Sequence, residues 1–312
     1  MGSYACNGHF EPSGTPREAT QTTSAGPGGT RPVSLPRRQM TQNTDDAWEA
    51  WGVQDPFYSV LTDPKFRAAA LTAETREEFF ASGHVHVNQV LDICRQRLDP
   101  GFIPQRILDF GCGIGRLVIP FAAIAPDVVG MDVAPSMLTQ ARSNCDERGA
   151  ANVTLVLSDD NLSAVDGKFD LVHTCIVLQH VEVARGRKLL AELVRRIQPG
   201  GCGAVHITFA WDAHEETFGQ PPAPVPPAPP DNSLSAVIKR SLKRLVRALH
   251  PNPTPPPPPP PPSPDPEMQM NFYNLSELFF ILHQAGVQRV HTEITDHGGA
   301  LGSFLYFQMP SA

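Results

Sequence analysis

The stretch from Arg106 to Arg116, Arg-Ile-Leu-Asp-Phe-Gly-Cys-Gly-Ile-Gly-Arg, constrains the fold of this chain more than any other segment. The residues before the glycines are mainly apolar, which predicts a buried strand of a parallel sheet. Gly111, Gly113 and Gly115 allow a tight turn whose backbone can come close to a ligand. A helix predicted after the turn would point its free N–H groups at that ligand. The stretch therefore predicts a ligand-binding α/β sheet.

The spacing of the glycines and one nearby acid select among ligands. Gly-x-Gly-x-Gly differs from the Gly-x-Gly-x-x-Gly pattern of dinucleotide-binding sheets. Asp109 stands two positions before the first glycine, where its carboxylate would repel a pyrophosphate and attract a cationic amine or sulfonium. Both features disfavour an NAD-dependent oxidoreductase.

A second acid follows at the expected distance. Residues 128–131 predict a short apolar strand that ends at Asp132, about twenty residues after the glycines, where an acid can accept hydrogen bonds from a ribose. Pro135 then predicts the start of a helix, since a missing N–H costs nothing in the first helical turn.

With these elements in place, the sequence resembles the class I S-adenosylmethionine (SAM)-dependent methyltransferases. The matching segments are Leu108-Asp-Phe-Gly-Cys-Gly-Ile-Gly-Arg116, Gly130-Met-Asp-Val-Ala-Pro-Ser-Met-Leu138, Ser158-Asp159, Phe169-Asp-Leu-Val172 and Gln198-Pro-Gly-Gly201. The resemblance implies an α/β fold: a seven-stranded, doubly wound, mostly parallel sheet with an antiparallel last strand. A helical cap at the N-terminal side and a Pro-rich insertion are expected to be added to it.

The resemblance also implies a set of cofactor-binding residues, with SAM as the cofactor. The glycines would face its methionyl part, Asp109 its amino group, Asp132 the ribose and Asp159 the adenine amino group. The full set is Asp109, Gly111, Cys112, Gly113, Gly115, Asp132, Val133, Met137, Asp159 and Asp160.

His180 is the first candidate for a catalytic residue, as a general base in methyl transfer. It follows the fourth predicted strand, where members of the resembled family often place substrate-contacting groups; a structural hydrogen bond is its alternative role. His173 and His206 lie within strands, which favours buried structural roles. Asp212 and His214, just beyond the fifth predicted strand, are weaker candidates on the substrate side. Asp296 and His297 lie near the chemistry if the sixth strand is parallel to its neighbours, with an ordinary polar turn as the alternative. The cysteines form no Cys-x-x-Cys pair and indicate neither a zinc site nor a disulfide framework, and no residue is singled out as a metal ligand.

Five regions are predicted. Residues 1–44 form a Gly-, Pro- and Ser-rich leader expected to be disordered, with Met40 as a candidate start. The other regions are an N-terminal helical cap (45–104), the SAM-binding core (105–209), the Pro-rich insertion (210–268) and a C-terminal helix and hairpin that complete the sheet (269–312). Within the cap, we predict two helices, 72–81 and 84–97, separated by a break at residues 82–84.

The insertion combines polyproline with a basic helix. It holds nineteen of the 33 prolines of the chain and should be extended where they are dense. Residues 232–250 between the proline arms carry apolar residues at helical spacing and five Lys or Arg residues without an acid. Peripheral contact with an anionic membrane, docking on the acidic body, or a solvated helix all remain open.

The function predicted is methyl transfer to a small-molecule hydroxyl, with a sugar or a glycan-linked hydroxyl as one candidate acceptor. A net charge of −7 disfavours nucleic acid as a partner. The absence of a hydrophobic leader and of a membrane-length apolar run favours a cytoplasmic protein, with membrane association through residues 232–250 left open. The alternative is a catalytically inactive SAM-binding protein that acts through its polyproline arms. The sequence leaves the oligomeric state undecided.

Overall fold

A computed structural model describes residues 44–211, 265–266 and 268–311. The helices are α1 (Thr44–Gln54), α2 (Pro56–Val60), α3 (Ala73–Ile93), α4 (Val118–Ala122), α5 (Pro135–Glu147), α6 (Val183–Arg195) and α7 (Leu275–Gln284). The strands are β1 (Arg106–Phe110), β2 (Asp127–Asp132), β3 (Val153–Leu157), β4 (Phe169–Thr174), β5 (Ile197–Trp211), β6 (Val290–Asp296) and β7 (Ala300–Gln308). Short 3₁₀ helices lie at Pro64–Phe66 and Leu178–His180, and a short π-helix lies at Cys94–Leu98.

The strands form one sheet in the order β3-β2-β1-β4-β5-β7-β6. Strands β1 to β5 pair in parallel, and β7 pairs antiparallel with both β5 and β6. The predicted seven-stranded sheet with a reversed last strand is therefore confirmed. Because β1 lies between β2 and β4, the chain order reverses beside β1, and in such sheets ligands bind where the parallel strands end at that point. We call this side of the sheet the carboxyl edge.

Two apolar layers cover the sheet. The layer on one face takes in α1, α3 and α5, with Trp51, Phe79 and Met137 among its buried side chains. The layer on the other face takes in α6 and α7, through residues such as Leu190 and Leu282. Cover on both faces explains why β1 reads as an apolar run in the sequence.

The predicted break at residues 82–84 is wrong, because α3 runs from Ala73 to Ile93 without interruption. Its start is fixed by a reciprocal capping box between Thr72 and Thr75. A Cβ on Gly83 would lie 2.2 Å from the carbonyl oxygen of Arg116. Gly83 therefore lets α3 pack directly on the backbone that follows the glycine turn. That contact offsets the cost of about 1 kcal/mol that an internal helical glycine carries.

Several predicted features lie outside the described residues. They are the leader up to residue 43, the polyproline arms, the basic helix at 232–250, and the candidate residues Asp212 and His214. Within the described ranges, no helix combines the length and the hydrophobicity that crossing a bilayer requires.

Candidate cofactor and active site

Backbone hydrogen bonds to the neighbouring strand β2 fix the glycine turn. The backbone N–H groups of Gly111 and Cys112 both donate to the carbonyl oxygen of Met131 in β2, at 2.8 and 2.9 Å. Gly111, Gly113 and Gly115 have φ angles of +76°, +53° and +92°. Glycine adopts such angles readily, whereas a side chain makes them costly, so the turn depends on all three positions.

Asp132 braces the same turn with its side chain. Its Oδ2 accepts the N–H of Gly113 at 2.8 Å, and its Oδ1 accepts the N–H of Ala134 at 3.0 Å. Burial raises the pKa of Asp132 to about 6, against the opposing effect of these two hydrogen bonds. Each carboxylate oxygen can accept more than one hydrogen bond, so both retain capacity for hydroxyl groups of a ligand.

Other segments pack closely on the glycine turn. A Cβ on Gly111 would lie 2.2 Å from Cγ2 of Val177, which follows β4. A Cβ on Gly113 would lie 2.9 Å from Cγ2 of Val60 at the end of α2. The cap and the loop after β4 thus approach the turn from two sides, with room only for glycine there.

Asp109 belongs to a buried chain of hydrogen bonds. Its Oδ1 lies 2.7 Å from Nδ1 of His173 in β4, and Nε2 of His173 lies 2.9 Å from Nε2 of His86 in α3. All three side chains are buried. The Oδ2 atom of Asp109 is also buried and has no hydrogen-bond partner among the described residues, and the same holds for Oγ1 of Thr174 at the end of β4. Buried polar atoms of this kind mark places where a ligand or water completes the bonding.

Asp159 and Asp160, both predicted to bind the cofactor, are engaged by the protein. Asp159 accepts the N–H groups of Asn161 and Ser163 and the Ser163 hydroxyl, and these bonds lower the pKa of its carboxyl group. Its Oδ1 accepts at 3.0 and 2.9 Å. Asp160 accepts from Nε of Arg185 at 2.7 Å. Both acids lie after β3 as predicted, and their contact with adenine stays a prediction.

Helix α1 lies across the carboxyl edge, and polar contacts hold it at several points. In the middle of the helix Glu49 accepts the N–H and the hydroxyl of Ser136, at the start of α5, at 3.0 and 2.9 Å. In the first turn Asp45 accepts from both terminal nitrogens of Arg185 in α6, at 2.8 and 2.9 Å. The hydroxyl of Thr44 donates to the carbonyl oxygen of His180 at 2.7 Å. The helix therefore connects the β2 side of the edge to the β4 side.

His180 is buried beneath α1. Its ring meets that of Trp48 edge-on with centroids 5.0 Å apart. Nδ1 lies 2.9 Å from the carbonyl oxygen of Gln269, which can only accept, so Nδ1 carries the proton. Nε2 then accepts from the Gln179 amide at 3.3 Å. Burial lowers the pKa of His180 to about 4, so the ring is neutral at pH 7. The geometry matches the structural alternative, and the catalytic role stays a prediction.

A polar network ties the loop after β4 to the chain that returns from the insertion. Oε1 of Gln179 accepts the hydroxyl of Thr208 in β5 at 2.5 Å. The main-chain oxygen of Gln179 accepts the backbone N–H of Asn271 at 2.6 Å and its side-chain amide at 3.2 Å. The Tyr273 hydroxyl contacts the carbonyl oxygens of Leu178 and Val181 at 2.8 and 2.9 Å. This part of the edge is built from side chains of distant segments.

The same loop carries a strained residue. Ile176, two residues after β4, has φ of +57°. A β-branched side chain rarely adopts this conformation, which costs about 1–3 kcal/mol and is often found at functional sites. In this conformation the backbone follows the course that brings Val177 against Gly111.

The remaining predicted residues are buried, partly exposed or part of a turn. Met137 and Cys112 are buried, and burial raises the pKa of the Cys112 thiol well above its ordinary value, so the thiol stays protonated. Val133 is partly exposed beside Asp132. Asp296 accepts the N–H of Gly299 at 2.7 Å and so stabilises the turn between β6 and β7.

His173 and His206 are buried, as expected for structural histidines. His206 contacts the Thr295 hydroxyl through Nε2 at 2.9 Å and packs 5.2 Å from the ring of His297. Burial lowers the pKa of His206 to about 3.

Sequence reasoning missed the residues that join elements across the edge. Glu49 and Arg185 reach partners 87 and 140 positions away, so no local pattern reveals them. The pairing of His173 with Asp109 carried a usable signal. Once β1 and β4 are placed side by side in parallel, the two residues fall at the same register position.

Residues 107–201, which hold the glycine turn, Asp109 and Asp132, match a family model described as a methyltransferase domain. This stretch is a methyltransferase domain. Its fold is that of the class I, SAM-dependent methyltransferases, as the resemblance implied.

Part of the chain is also similar in sequence to curated methyltransferases. An uncharacterized methyltransferase of Synechocystis sp. is 28% identical over 158 residues, which are 51% of this chain and 66% of the relative. A ribosomal protein L11 methyltransferase of Burkholderia vietnamiensis is 33% identical over 139 residues, 44% of this chain and 42% of the relative. The chain spans less than two thirds of the length of either relative.

Among solved structures, the chain is similar to a magnesium protoporphyrin IX methyltransferase from Synechocystis PCC 6803 with bound SAM. The TM-score is 0.51 and the identity 15%, over 86% of this chain and 99% of the other. At this identity the likeness concerns the fold of the methyltransferase domain.

Proposed function

We propose that the whole protein is a SAM-dependent methyltransferase that acts on a small-molecule hydroxyl, such as that of a sugar or a glycan-linked group. The observation that carries the proposal is the Asp132 carboxylate, which supports the glycine turn through Gly113 while keeping acceptor capacity at the carboxyl edge. A matching methyltransferase domain over residues 107–201 supports the same conclusion.

The residues present fit SAM. Asp132 would accept hydrogen bonds from the ribose hydroxyls, and the glycine turn offers close backbone approach to the methionyl part. The buried Oδ2 of Asp109, which lacks a partner in the described part of the chain, would accept from the cofactor ammonium group. Val133 and Met137 would line the adenine, with Asp159 near its amino group. When bound, SAM supplies a methyl group on a positively charged sulfur, which is already an activated leaving group.

The contribution of the protein would be mainly orientation. Holding an acceptor in line with an activated methyl group is worth about 7–11 kcal/mol of barrier in favourable cases. Helix α1, with its contacts to Ser136 and Arg185, covers the edge and would help to exclude water. A strong general base is not required by this chemistry, and a neutral His180 with a pKa of about 4 would be a weak one.

The proposal of a small-molecule hydroxyl rests on the loop after β4. Thr174-Cys-Ile-Val177 differs from the Asn/Asp-Pro-Pro-Tyr/Phe segment expected for methylation of adenine or of a glutamine amide. The printed names of similar proteins point to different acceptors, a ribosomal protein in one case and a porphyrin in another. Those names therefore do not select an acceptor for this chain.

The test has two stages. Thermal unfolding of the full chain with SAM, S-adenosylhomocysteine (SAH) or NAD should show stabilisation by the first two only. Methyl transfer from labelled SAM is then measured across sugars, phenols, other small hydroxyl compounds and a protein fraction. Labelled small-molecule product supports the proposal. Binding of SAM without transfer to any class would favour the inactive interaction protein, and stabilisation by NAD alone would overturn the cofactor assignment.

His180 can be tested within the same assay. If it acts as a general base, His180→Ala lowers kcat about 10²–10⁴-fold without changing SAH affinity. If it only links the loop to Gln269, His180→Gln, which keeps a hydrogen-bonding side chain, retains most of the rate. The second result would remove His180 from the chemistry.

A further inference from the structure

A chain of hydrogen bonds starts at Oδ1 of Asp109, the only one of its two carboxylate oxygens with a hydrogen-bond partner in the described part of the chain. It passes from a carboxylate beside the glycine turn through His173 in the middle of the sheet to His86 in α3. All three groups are buried, and the rings of His86 and His173 pack edge-on with centroids 5.1 Å apart. Phe121 and Phe304 pack against the His173 ring at 5.4 and 6.4 Å.

The direction of the hydrogen bonds follows from the chemistry of the groups. An ionised carboxylate can only accept, so Nδ1 of His173 donates to Asp109. One proton joins the two Nε2 atoms, and when His173 is neutral it is the Nε2 of His86 that donates it. Burial lowers the pKa of His86 well below its ordinary value, with further contributions from the neighbouring His173 and then from Arg116, so His86 is neutral. The chain then places one negative charge at its Asp109 end.

Among the described residues, the Asp109 carboxylate accepts a hydrogen bond at only one of its two oxygens. His173 contacts only Oδ1, and Oδ2 has no hydrogen-bond partner within the described ranges. A buried carboxylate oxygen without a donor costs considerable free energy, unless a ligand supplies the donor. Asp109 stands two residues before Gly111, beside the turn proposed to hold the methionyl part. An ammonium group there would complete the bonding and neutralise the charge.

We propose that His173 and His86 are positioning residues for the cofactor: they fix the Asp109 carboxylate with Oδ2 turned to the cofactor ammonium group. The proposal deepens the proposed function and rests on it. His173 fixes the carboxylate directly, and His86 fixes the tautomer and the orientation of the His173 ring. Helix α3 thus contributes to recognition of the amino acid part of the cofactor without touching it.

The test compares two ligands that differ in the amino acid part of the cofactor. SAH carries the ammonium group, whereas 5′-methylthioadenosine has the same nucleoside and lacks the amino acid. Calorimetry on the full chain should show that Asp109→Asn and His173→Phe weaken SAH binding about ten- to a hundredfold. Binding of 5′-methylthioadenosine should change by no more than about twofold. A general disturbance of the site would weaken both ligands equally, and that result would overturn the proposal.

Two further variants test the order of the chain. His173→Asn keeps an N–H donor at the position of Nδ1 and removes Nε2, so it should recover most of the lost SAH affinity. His86→Leu should weaken SAH binding in the wild type and have no effect in the His173→Asn background. His206→Asn removes another buried histidine, in β5, and is the matched control whose ratio of SAH to 5′-methylthioadenosine affinity stays unchanged. If His86→Leu weakened SAH binding in both backgrounds, His86 would not act through His173, and its proposed role would be wrong.

A spectroscopic measurement covers the case in which His173→Phe does not fold. In proton NMR spectra of the wild type, the resonance of the Nδ1–H proton of His173 should change its chemical shift on addition of SAH. It should not change on addition of 5′-methylthioadenosine. Equal shifts with both ligands would contradict the proposal. If the wild type binds neither ligand, the proposed function fails instead, so the two failures are distinguishable.

Discussion

At the β1–β2–β3 end of the carboxyl edge the loops are held by backbone groups and nearby acids, whereas at the β4–β5 end they are held by side chains from distant segments. We call the first region the cofactor half (residues 109–117 and 131–134) and the second the acceptor half (residues 174–182, 208 and 269–273). In the cofactor half, Gly111 and Cys112 bond to Met131 and Asp132 bonds to Gly113. In the acceptor half, Gln179 reaches Thr208 and Asn271.

The difference follows from what each region must do. A turn made of backbone N–H groups can bind one invariant ligand, and its geometry requires glycine at fixed positions. An acceptor region built from interchangeable side chains can be altered without disturbing the turn. We therefore expect substitutions in the cofactor half to affect SAH affinity, and those in the acceptor half to affect stability or turnover at unchanged SAH affinity.

The largest effect on SAH affinity should come from Gly111→Ala. The new Cβ would lie 2.2 Å from Val177, at φ of +76°, so the turn must move. The displaced backbone would no longer approach the methionyl part closely, and calorimetry with SAH should show a loss of affinity of about a hundredfold or more. Gly149→Ala is the matched control, since Gly149 has φ of +69° with no atom within 4 Å of the added Cβ. Equal losses in both variants would mean that the clash is irrelevant.

Asp132→Ala should have the next largest effect, a loss of SAH affinity of about ten- to a hundredfold, since hydrogen bonds to a charged group are removed. Asp127→Ala changes the same residue type at the other end of β2, where Asp127 pairs with Arg106 at 2.8 Å on the surface. The control should bind SAH as the wild type does. Unchanged affinity in Asp132→Ala would remove this residue from the cofactor half.

The pKa of Asp132 predicts a smaller, graded effect. Burial raises that pKa to about 6, so the carboxylate is mostly ionised at pH 7 and mostly protonated at pH 5. Because the ionised form is the better acceptor, SAH affinity should fall up to about tenfold as the pH falls between these values. His180 and His206, whose pKa values are lowered to about 4 and 3, stay neutral throughout. An unchanged pH dependence in Asp132→Asn would assign the effect to another group.

How far the sequence predicts each half depends on the separation of the contacting residues. The glycine turn, Asp109 and Asp132 all lie between residues 106 and 132, and their spacing alone predicts a strand, a turn and a neighbouring acid. The bond from Asp132 to Gly113 belongs to the same local pattern, because parallel strands bring the end of β2 beside the turn. Local spacing in the sequence is therefore enough to predict the glycine turn and its two acids, whereas the His173 and His86 side chains behind Asp109 come from distant segments.

The acceptor half cannot be predicted in this way. Gln179 and Asn271 are 92 positions apart, and no periodicity connects them. His180 is singled out by its position after β4, whereas its environment comes from Trp48 and Gln269, which no neighbouring residue encodes. The break predicted near Gly83 failed for a related reason: a glycine that ends a helix and one that admits a neighbouring backbone look the same in sequence.

Thr208→Val tests the other side of the comparison, where the expected change in SAH affinity is the smallest. The substitution keeps the shape of the side chain and removes the hydroxyl that donates to Gln179 at 2.5 Å. It leaves a buried amide oxygen without its donor, which should lower the free energy of unfolding by about 1–3 kcal/mol in denaturant titrations. SAH affinity should stay within about twofold of the wild type, since the bond lies outside the cofactor half.

Thr292→Val is the matched control, because Thr292 is exposed on β6 in the same sheet. Its free energy of unfolding should change by no more than about 0.5 kcal/mol. If Thr208→Val weakened SAH binding as strongly as Asp132→Ala, the two halves would be one coupled unit. The network around Gln179 would then have to be counted among the groups that hold the glycine turn, through Val177 and the strained backbone of Ile176.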